Sequence, residues 1–330
     1  GPLLGGVLVD AAGWPWIFYV NVPIGILGLI LAWIFVPKLE QTNRHFDWLG
    51  VVLSAIGMFC LVFGVQEAQH FGWDWRVWAL LAFGAVAMVA FFRWQARQST
   101  NALVPLALFD DRNFSLAALT ISTVGFAVST YVIPWMIYVQ TVQELSPTHA
   151  ALLILPSGLV SGFLSPYIGR LTNTHDPKPF AIAGMTLGAL SVGATAMITD
   201  PGVSTNWMYL ISVIYGVANS MIWGPLSMIA TRNLDPRLAG AGSSVYNTTR
   251  QIGAVIGSAA IAAMMSAQLD ARLGSGDAGP APTQTTGALP EFLHEPFALA
   301  MGTSIWLPGA VMAAGAIAAC FFAKTKSWSA

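Results

Sequence analysis

Charge is scarce in this sequence. Only 9% of the 330 residues are Asp, Glu, Lys or Arg, whereas soluble domains carry roughly 25%. A chain so poor in charge does not form a surface compatible with water. Its 14 basic and 15 acidic residues leave a net charge of −1, which does not provide the basic patch that nucleic-acid binding requires. A soluble enzyme, a disordered chain and a nucleic-acid-binding module are therefore excluded.

Residues for catalysis and for metal binding are also few. The two cysteines, Cys60 and Cys320, are too few for a disulfide scaffold or a thiolate metal site. The sequence contains neither a phosphate-binding loop nor a GxSxG elbow. No pair of histidines has the i, i+4 spacing that suits a metal. The sequence thus predicts a non-enzyme without a metal or cofactor, and it excludes direct use of ATP.

What is present is a series of long hydrophobic runs. Hydrophobic residues make up 55% of the chain, and about 20 helical residues cross the hydrocarbon core. Alternation over about 10 residues, which barrel strands would show, is not visible. We therefore predict an all-α polytopic membrane protein with nine complete transmembrane helices, preceded by a partial one in Gly1–Gly13. The nine runs are Ile17–Val36, Trp48–Gln66, Val77–Phe92, Asn113–Gln143, Ala150–Gly169, Pro179–Thr199, Met208–Thr231, Leu238–Leu269 and Pro296–Ala323.

The basic residues predict the orientation of these helices. If Gly1–Gly13 ends outside the cell, 11 basic residues lie at cytoplasmic loops and helix ends, and only Arg76 and Arg272 lie outside. Such a bias satisfies the positive-inside rule. The sequence therefore predicts a multi-pass membrane protein whose C-terminus is cytoplasmic.

The first motif lies at the start of the chain. Gly1 and Gly5 are four residues apart, a spacing that lets another helix approach closely, and Pro2 bends the segment. The spacing alone favours a generic close-packed helix pair, and it is the continuation of the pattern that changes this interpretation. The longer pattern resembles the antiporter signature of major facilitator drug exporters, in particular the fourteen-span drug:proton antiporter family of the EmrB/QacA type. Its candidate motif residues are Gly1, Pro2, Gly5, Gly6, Asp10 and Asn21.

Later segments resemble the same family in the same order. Pro105–Phe114 is similar to the amphipathic lead into its ninth span, and Gly169–Asn173 resembles its loop motif with Asn173 in place of Asp. The resemblance implies a major facilitator fold and a fragment that begins within the fifth span. It divides the chain into the end of an N-terminal bundle (1–37), two inserted helices with a cytoplasmic lead (38–112), and a C-terminal six-helix bundle (113–330).

The resemblance also implies a function. Members of this family are multidrug exporters in the bacterial inner membrane that confer drug resistance by exchanging protons for hydrophobic or cationic drugs and dyes. A proton gradient would be the energy source, and membrane lipid the surroundings. A facilitator of one metabolite or lipid is the main alternative. A membrane-embedded enzyme would need a converging catalytic set, which the sequence does not show.

One charge lies well inside a predicted span. Arg250 is flanked by Asn247 and Gln251, which gives one side of the helix a polar stripe. Arginine at a helix centre costs about 2.5–3.5 kcal/mol, so such residues usually face a cavity and have a partner. Arg250 is therefore either a residue of the gate or substrate path, or a structural tie to carbonyls of a neighbouring helix.

Two further clusters combine aromatic and amide side chains beside a proline. The first lies in Asn113–Gln143 and the second in Met208–Thr231. Such groups suit a cavity for bulky amphiphiles, because rings stack and amides adapt their hydrogen bonds. Interfacial aromatics and interhelical hydrogen bonds are the alternative. The candidate cavity residues are Trp135, Tyr138 and Gln140 in the first cluster, and Asn219 and Trp223 in the second.

Overall fold

The fold consists of helices. A computed structural model describes residues 2–36, 47–68, 71–98, 102–273 and 289–323, and it contains no β-strand within them. Nine helices in this part of the chain are long and apolar enough to cross a membrane, which confirms the predicted fold class. The helices are α1 (Pro2–Ala12), α2 (Trp16–Tyr19), α3 (Asn21–Phe35), α4 (Trp48–Glu67), α5 (Trp75–Arg97), α6 (Arg112–Thr141), α7 (Pro147–Thr174), α8 (Lys178–Ile198), α9 (Trp207–Thr231), α10 (Ala239–Leu273) and α11 (His294–Cys320); α2 and α3 form one span.

The helices from α6 to α11 form a bundle with a symmetric pairing. Helix α6 packs against α10 and α11, and α9 packs in the corresponding way against α7 and α8. Helix α8 also packs against α11, and α6 against α9. Exchanging the first three helices with the last three leaves these pairs unchanged, although α10 also packs against α11 and α7 has no comparable contact with α8. Two related three-helix units therefore account for the bundle, although their sequences show no clear similarity.

The core of the bundle shows that successive helices run in opposite directions. One hydrophobic cluster joins the C-terminal half of α6 to the N-terminal halves of α7, α9 and α11. A second joins the N-terminal half of α6 to the C-terminal halves of α9 and α11. The two clusters therefore lie at opposite ends of the bundle, as expected when each span crosses the membrane in the reverse sense of the one before it.

Glycines bring α6 and α10 into backbone contact. A Cβ atom at Gly125 would collide with the carbonyl oxygen of Arg250, and a Cβ at Gly253 would collide with the carbonyl oxygen of Ser122. One turn further, a Cβ at Gly257 would lie 2.9 Å from the Phe126 carbonyl oxygen. Small residues permit such approaches between membrane helices. This contact fixes the position of the Arg250 backbone.

The two helices α4 and α5 are joined by a buried polar network at one end. Asp47, only 8% exposed, precedes α4. Its Oδ1 accepts hydrogen bonds from the Gly50 N–H and the Trp94 indole N–H, both at 2.9 Å. Its Oδ2 accepts one from the Gln95 amide at 2.8 Å, and Gln95 Oε1 accepts one from the Val104 N–H at 3.2 Å. Asp47 therefore caps α4 and ties it to α5 and to the segment before α6.

The Asp47 network predicts a loss of stability on mutation. Asp47→Ala removes a helix cap and leaves buried donors unpaired, so we expect it to lower the free energy of unfolding by about 1–3 kcal/mol. Asp74→Ala is the matched control, because Asp74 caps α5 in the same way from a more exposed position. Thermal unfolding in detergent would measure both. Equal losses in the two variants would contradict a special role for Asp47.

The same carboxylate predicts how stability depends on pH. Burial raises the pKa of Asp47, but the hydrogen bonds from Gly50, Trp94 and Gln95 outweigh it, and the net pKa lies below the ordinary value of 3.8. Because the unfolded chain binds this proton more readily, the stabilisation by Asp47 is complete above pH 3.8 and is lost as the pH falls below it. The Asp47→Asn variant should lack this component when unfolding is followed against pH.

Candidate functional site

The candidate site lies on one wall of the bundle and begins with Arg250. This residue is half-buried and lies eleven residues after the start of α10, about 16 Å along the helix axis. Asn247 and Gln251 are exposed on the same helix, and the Asn247 side-chain amide donates to the Ser243 carbonyl at 3.0 Å. The polar stripe predicted from the sequence is therefore on the accessible side of α10.

Helix α9 contributes the second element of the wall. The indole N–H of Trp223 donates to Asn219 Oδ1 at 3.0 Å, and the Asn219 amide donates to the Tyr215 carbonyl at 3.0 Å. Residues four apart lie above one another on a helix, so these bonds fix the orientation of the Trp223 ring. Trp223 remains 38% exposed.

The structure brings these two elements together. The guanidinium carbon of Arg250 lies 5.9 Å from the centre of the Trp223 ring, within the range of a cation–π contact. Sequence reasoning placed both residues in a cavity or gate, but the spacing of residues along two separate helices did not predict their contact. Together these two elements form a surface, the inner wall, which consists of Asn219, Trp223, Asn247, Arg250 and Gln251.

The Arg250 guanidinium has no polar partner in the described part of the chain. It makes no side-chain hydrogen bond and no ion pair there, and its guanidinium contacts the face of the Trp223 ring. Tyr246, one turn earlier on α10, has a buried hydroxyl group that also lacks a hydrogen-bond partner. The structural tie considered for Arg250 requires hydrogen bonds to carbonyls of a neighbouring helix, and these bonds are not present among the described residues.

Arg250 lines an open depression on α10. Its volume is about 650 Å³, and most of its lining residues carry hydroxyl, amide or guanidinium groups: Gly240, Ser243, Ser244, Asn247, Thr248, Arg250 and Gln251. Ser244 and Thr248 also line a second cavity of about 280 Å³ between α10 and the pair α4–α5. Met58, Met88 and Phe109 make that second cavity mainly apolar. Sequence reasoning did not find this second cavity, because its lining comes from four separate segments.

The cluster on α6 has a different environment. Trp135 and Tyr138 are fully buried and lie in the hydrophobic core, with their rings 5.6 Å apart. The Tyr138 hydroxyl donates to the Asp200 carbonyl at 2.9 Å and accepts from the Gln143 amide at 2.8 Å. Gln140 is exposed on another side of α6. The structure does not bring these residues to the inner wall, and a role for them in a cavity or gate stays a prediction.

The motif residues at the start of the chain are separated from the inner wall as well. Gly6 makes the close helix contact, because a Cβ there would lie 3.0 Å from the Pro147 carbonyl oxygen of α7. A Cβ on Gly5 would meet no atom within 4 Å among the described residues, so a close helix approach at Gly5 stays a prediction. The Asn21 amide donates to the Ile17 carbonyl at 2.8 Å. Gly1 and the side chains of Pro2 and Asp10 lie outside the described part of the structure.

Comparison with known proteins identifies the family. Residues 44–258 match the sequence profile described as Major Facilitator Superfamily. The chain belongs to the major facilitator superfamily. This match covers more than half of the chain and includes α4 to α9 and the part of α10 that carries Arg250.

Individual relatives of this major facilitator chain are named for transport, for multidrug resistance or for export. It is 44% identical to an uncharacterized MFS-type transporter of Mycobacterium tuberculosis, over 97% of this chain and 56% of the relative. It is 31% identical to the multidrug resistance protein Stp of the same species, over 83% of this chain and 51% of the relative. It is 27% identical to the tetracenomycin C resistance and export protein of Streptomyces glaucescens, over 99% of this chain and 66% of the relative. The chain thus spans about half to two thirds of the length of these relatives.

Proposed function

We propose that this chain is part of a secondary active exporter that exchanges protons for small hydrophobic molecules, including cationic drugs and dyes, by alternating access. The inner wall supports this proposal most directly. It places a guanidinium, an indole and amide groups together on membrane-spanning helices, a combination that accepts chemically varied amphiphiles. Relatives that are named for multidrug resistance or for drug export also support a role in export.

We further propose that the chain forms the C-terminal part of a fourteen-span protein of the EmrB/QacA type. In this proposal, residues 1–37 belong to an N-terminal bundle, and α4 and α5 are inserted between two bundles. None of the residues of α3 is buried, and this supports the assignment, because α3 then packs against other helices of the N-terminal bundle. The bias of basic residues supports a cytoplasmic C-terminus in the bacterial inner membrane.

Transport in vesicles tests the proposed function. The product of the complete open reading frame that contains these residues would be reconstituted into liposomes loaded with ethidium, and a pH gradient would be imposed. We expect efflux faster than in protein-free vesicles, and we expect nigericin to stop it by collapsing the gradient. Residues 1–330 alone should not transport, because the resemblance places the main proton-handling carboxylates in spans that precede Gly1.

A substrate panel completes this experiment. An exporter of drugs should move several unrelated dyes, whereas a facilitator of one metabolite or lipid should move none of them. Absence of gradient-driven efflux for every dye in the panel would contradict the proposed function. Efflux that persists after nigericin treatment would contradict proton exchange specifically.

A further inference from the structure

The charge of Arg250 is not compensated by the helices that surround it. Helix α9 contains no acidic residue. The next acidic residue along α10 is Asp270, twenty residues later and about 30 Å away. Helix α6, whose Gly125 touches the Arg250 backbone, contains no acidic residue either. A cation held at this depth is expensive unless a negative group approaches it.

The shape of the site matches one kind of negative group. A guanidinium is planar and binds a carboxylate or sulfonate through two parallel hydrogen bonds. None of the Arg250 N–H groups is used within the described structure. The Trp223 ring beside it provides an aromatic surface, and Asn219 and Asn247 add amide groups on the same two helices. An organic anion attached to a flat aromatic ring therefore fits both parts of the wall.

The connection between α9 and α10 carries more basic than acidic residues. Arg232 follows α9 directly, and Arg237 lies before α10. Asp235 is the acidic residue of this connection, so the basic groups outnumber it. Clusters of one charge raise the local concentration of oppositely charged ligands.

We propose that Arg250 and Trp223 form a subsite for planar aromatic anions, with the anionic group on the guanidinium and the ring against the indole. The inference rests on the proposed function in that the subsite forms part of the transport path. It extends that function, because the resemblance to drug exporters implies hydrophobic and cationic compounds. In this proposal the inner wall selects a second class of substrate.

Three probes that share one ring system test the subsite. Pyrene-1-carboxylate, 1-pyrenemethanol and 1-pyrenemethylamine differ in charge but not in the aromatic surface. Equilibrium binding would be measured with the complete protein in lipid nanodiscs, and empty nanodiscs would correct for partition into lipid. We expect Arg250→Gln to weaken binding of the carboxylate about tenfold or more, and to change binding of the neutral alcohol by less than about twofold.

Two further variants separate charge from structure. Arg272→Gln is the matched control on the same helix, because Arg272 lies in the last turn of α10 and donates to Thr303 at 3.1 Å. It should leave the binding of all three probes unchanged. Arg250→Lys keeps the charge but loses the planar fork, so it should retain part of the preference for the anion.

Each outcome decides the inference. An equal loss for the three pyrene probes in Arg250→Gln, or no loss for the carboxylate, would overturn it; the second result would indicate that Arg250 is paired with a carboxylate elsewhere in the complete protein. If Arg250→Gln does not fold, Arg250→Lys provides the test. Its ratio of carboxylate affinity to alcohol affinity must be lower than that of the wild type. Because binding is measured without a gradient, a failure of transport does not affect this result.

Discussion

Arg250→Ala is expected to reduce gradient-driven transport of a planar aromatic anion by the complete protein about tenfold or more, without lowering its thermal stability. The guanidinium has no hydrogen bond or ion pair within the described structure, so its removal breaks no polar tie there. Removal also relieves the cost of placing an arginine in a membrane span, which is about 2.5–3.5 kcal/mol. A charged hydrogen bond to a ligand contributes about 1.5–3 kcal/mol, and its loss corresponds to a tenfold or larger effect.

The measurement requires transport and stability from the same preparations. Initial efflux rates would be compared at equal protein content, and thermal unfolding would be followed in detergent. Arg272→Ala is the matched control, since it removes an arginine from the end of the same helix and should retain transport. Reduced expression and a lowered melting temperature in Arg250→Ala, in proportion to the loss of transport, would instead support the structural tie.

Gly253→Ala is expected to destabilise the bundle by about 1–3 kcal/mol, which is a large effect for the addition of one methyl group. The new Cβ would collide with the backbone carbonyl of Ser122, which cannot move aside as a flexible side chain can. Helices α6 and α10 would have to separate, and overpacking of this kind costs about 1–3 kcal/mol. Because α6 also packs against α9 and α11, the separation affects the centre of the bundle.

The control for this prediction is another glycine of α10. A Cβ at Gly240 would meet no atom within 4 Å, so Gly240→Ala should leave stability unchanged or raise it slightly. Thermal unfolding of both variants in the same detergent gives the comparison. If Gly253→Ala unfolds at the same temperature as Gly240→Ala, the backbone contact between α6 and α10 does not contribute as proposed.

The second cavity suggests why α10 is central to the fold. The first half of α10 faces the polar depression on one side and the apolar cavity beside α4 and α5 on the other. Ser244 and Thr248 line both of them. Its glycines hold it against α6. A single helix therefore positions Arg250 and connects α4 and α5 to the bundle.

The sequence by itself determined the class of the protein and most of its spans. The predicted run Val77–Phe92 is shorter than the roughly 20 residues that a span needs, and α5 continues beyond it at both ends, over Trp75–Arg97. Spans are predictable because each needs a length of apolar residues fixed by the thickness of the bilayer. The residue types also indicated Arg250 and Trp223 as candidates, since charge and clustered aromatics are unusual in a span.

Only the tertiary structure decided which candidates meet. Trp135 and Trp223 occur in similar sequence clusters beside a proline, yet one is buried in the core and the other is exposed at the inner wall. Asp47 gave no signal of its own, because its partners lie 47 and 48 residues further along the chain. Burial and contact depend on how helices rotate and pack, and the interactions that set this are distributed over many residues distant in sequence.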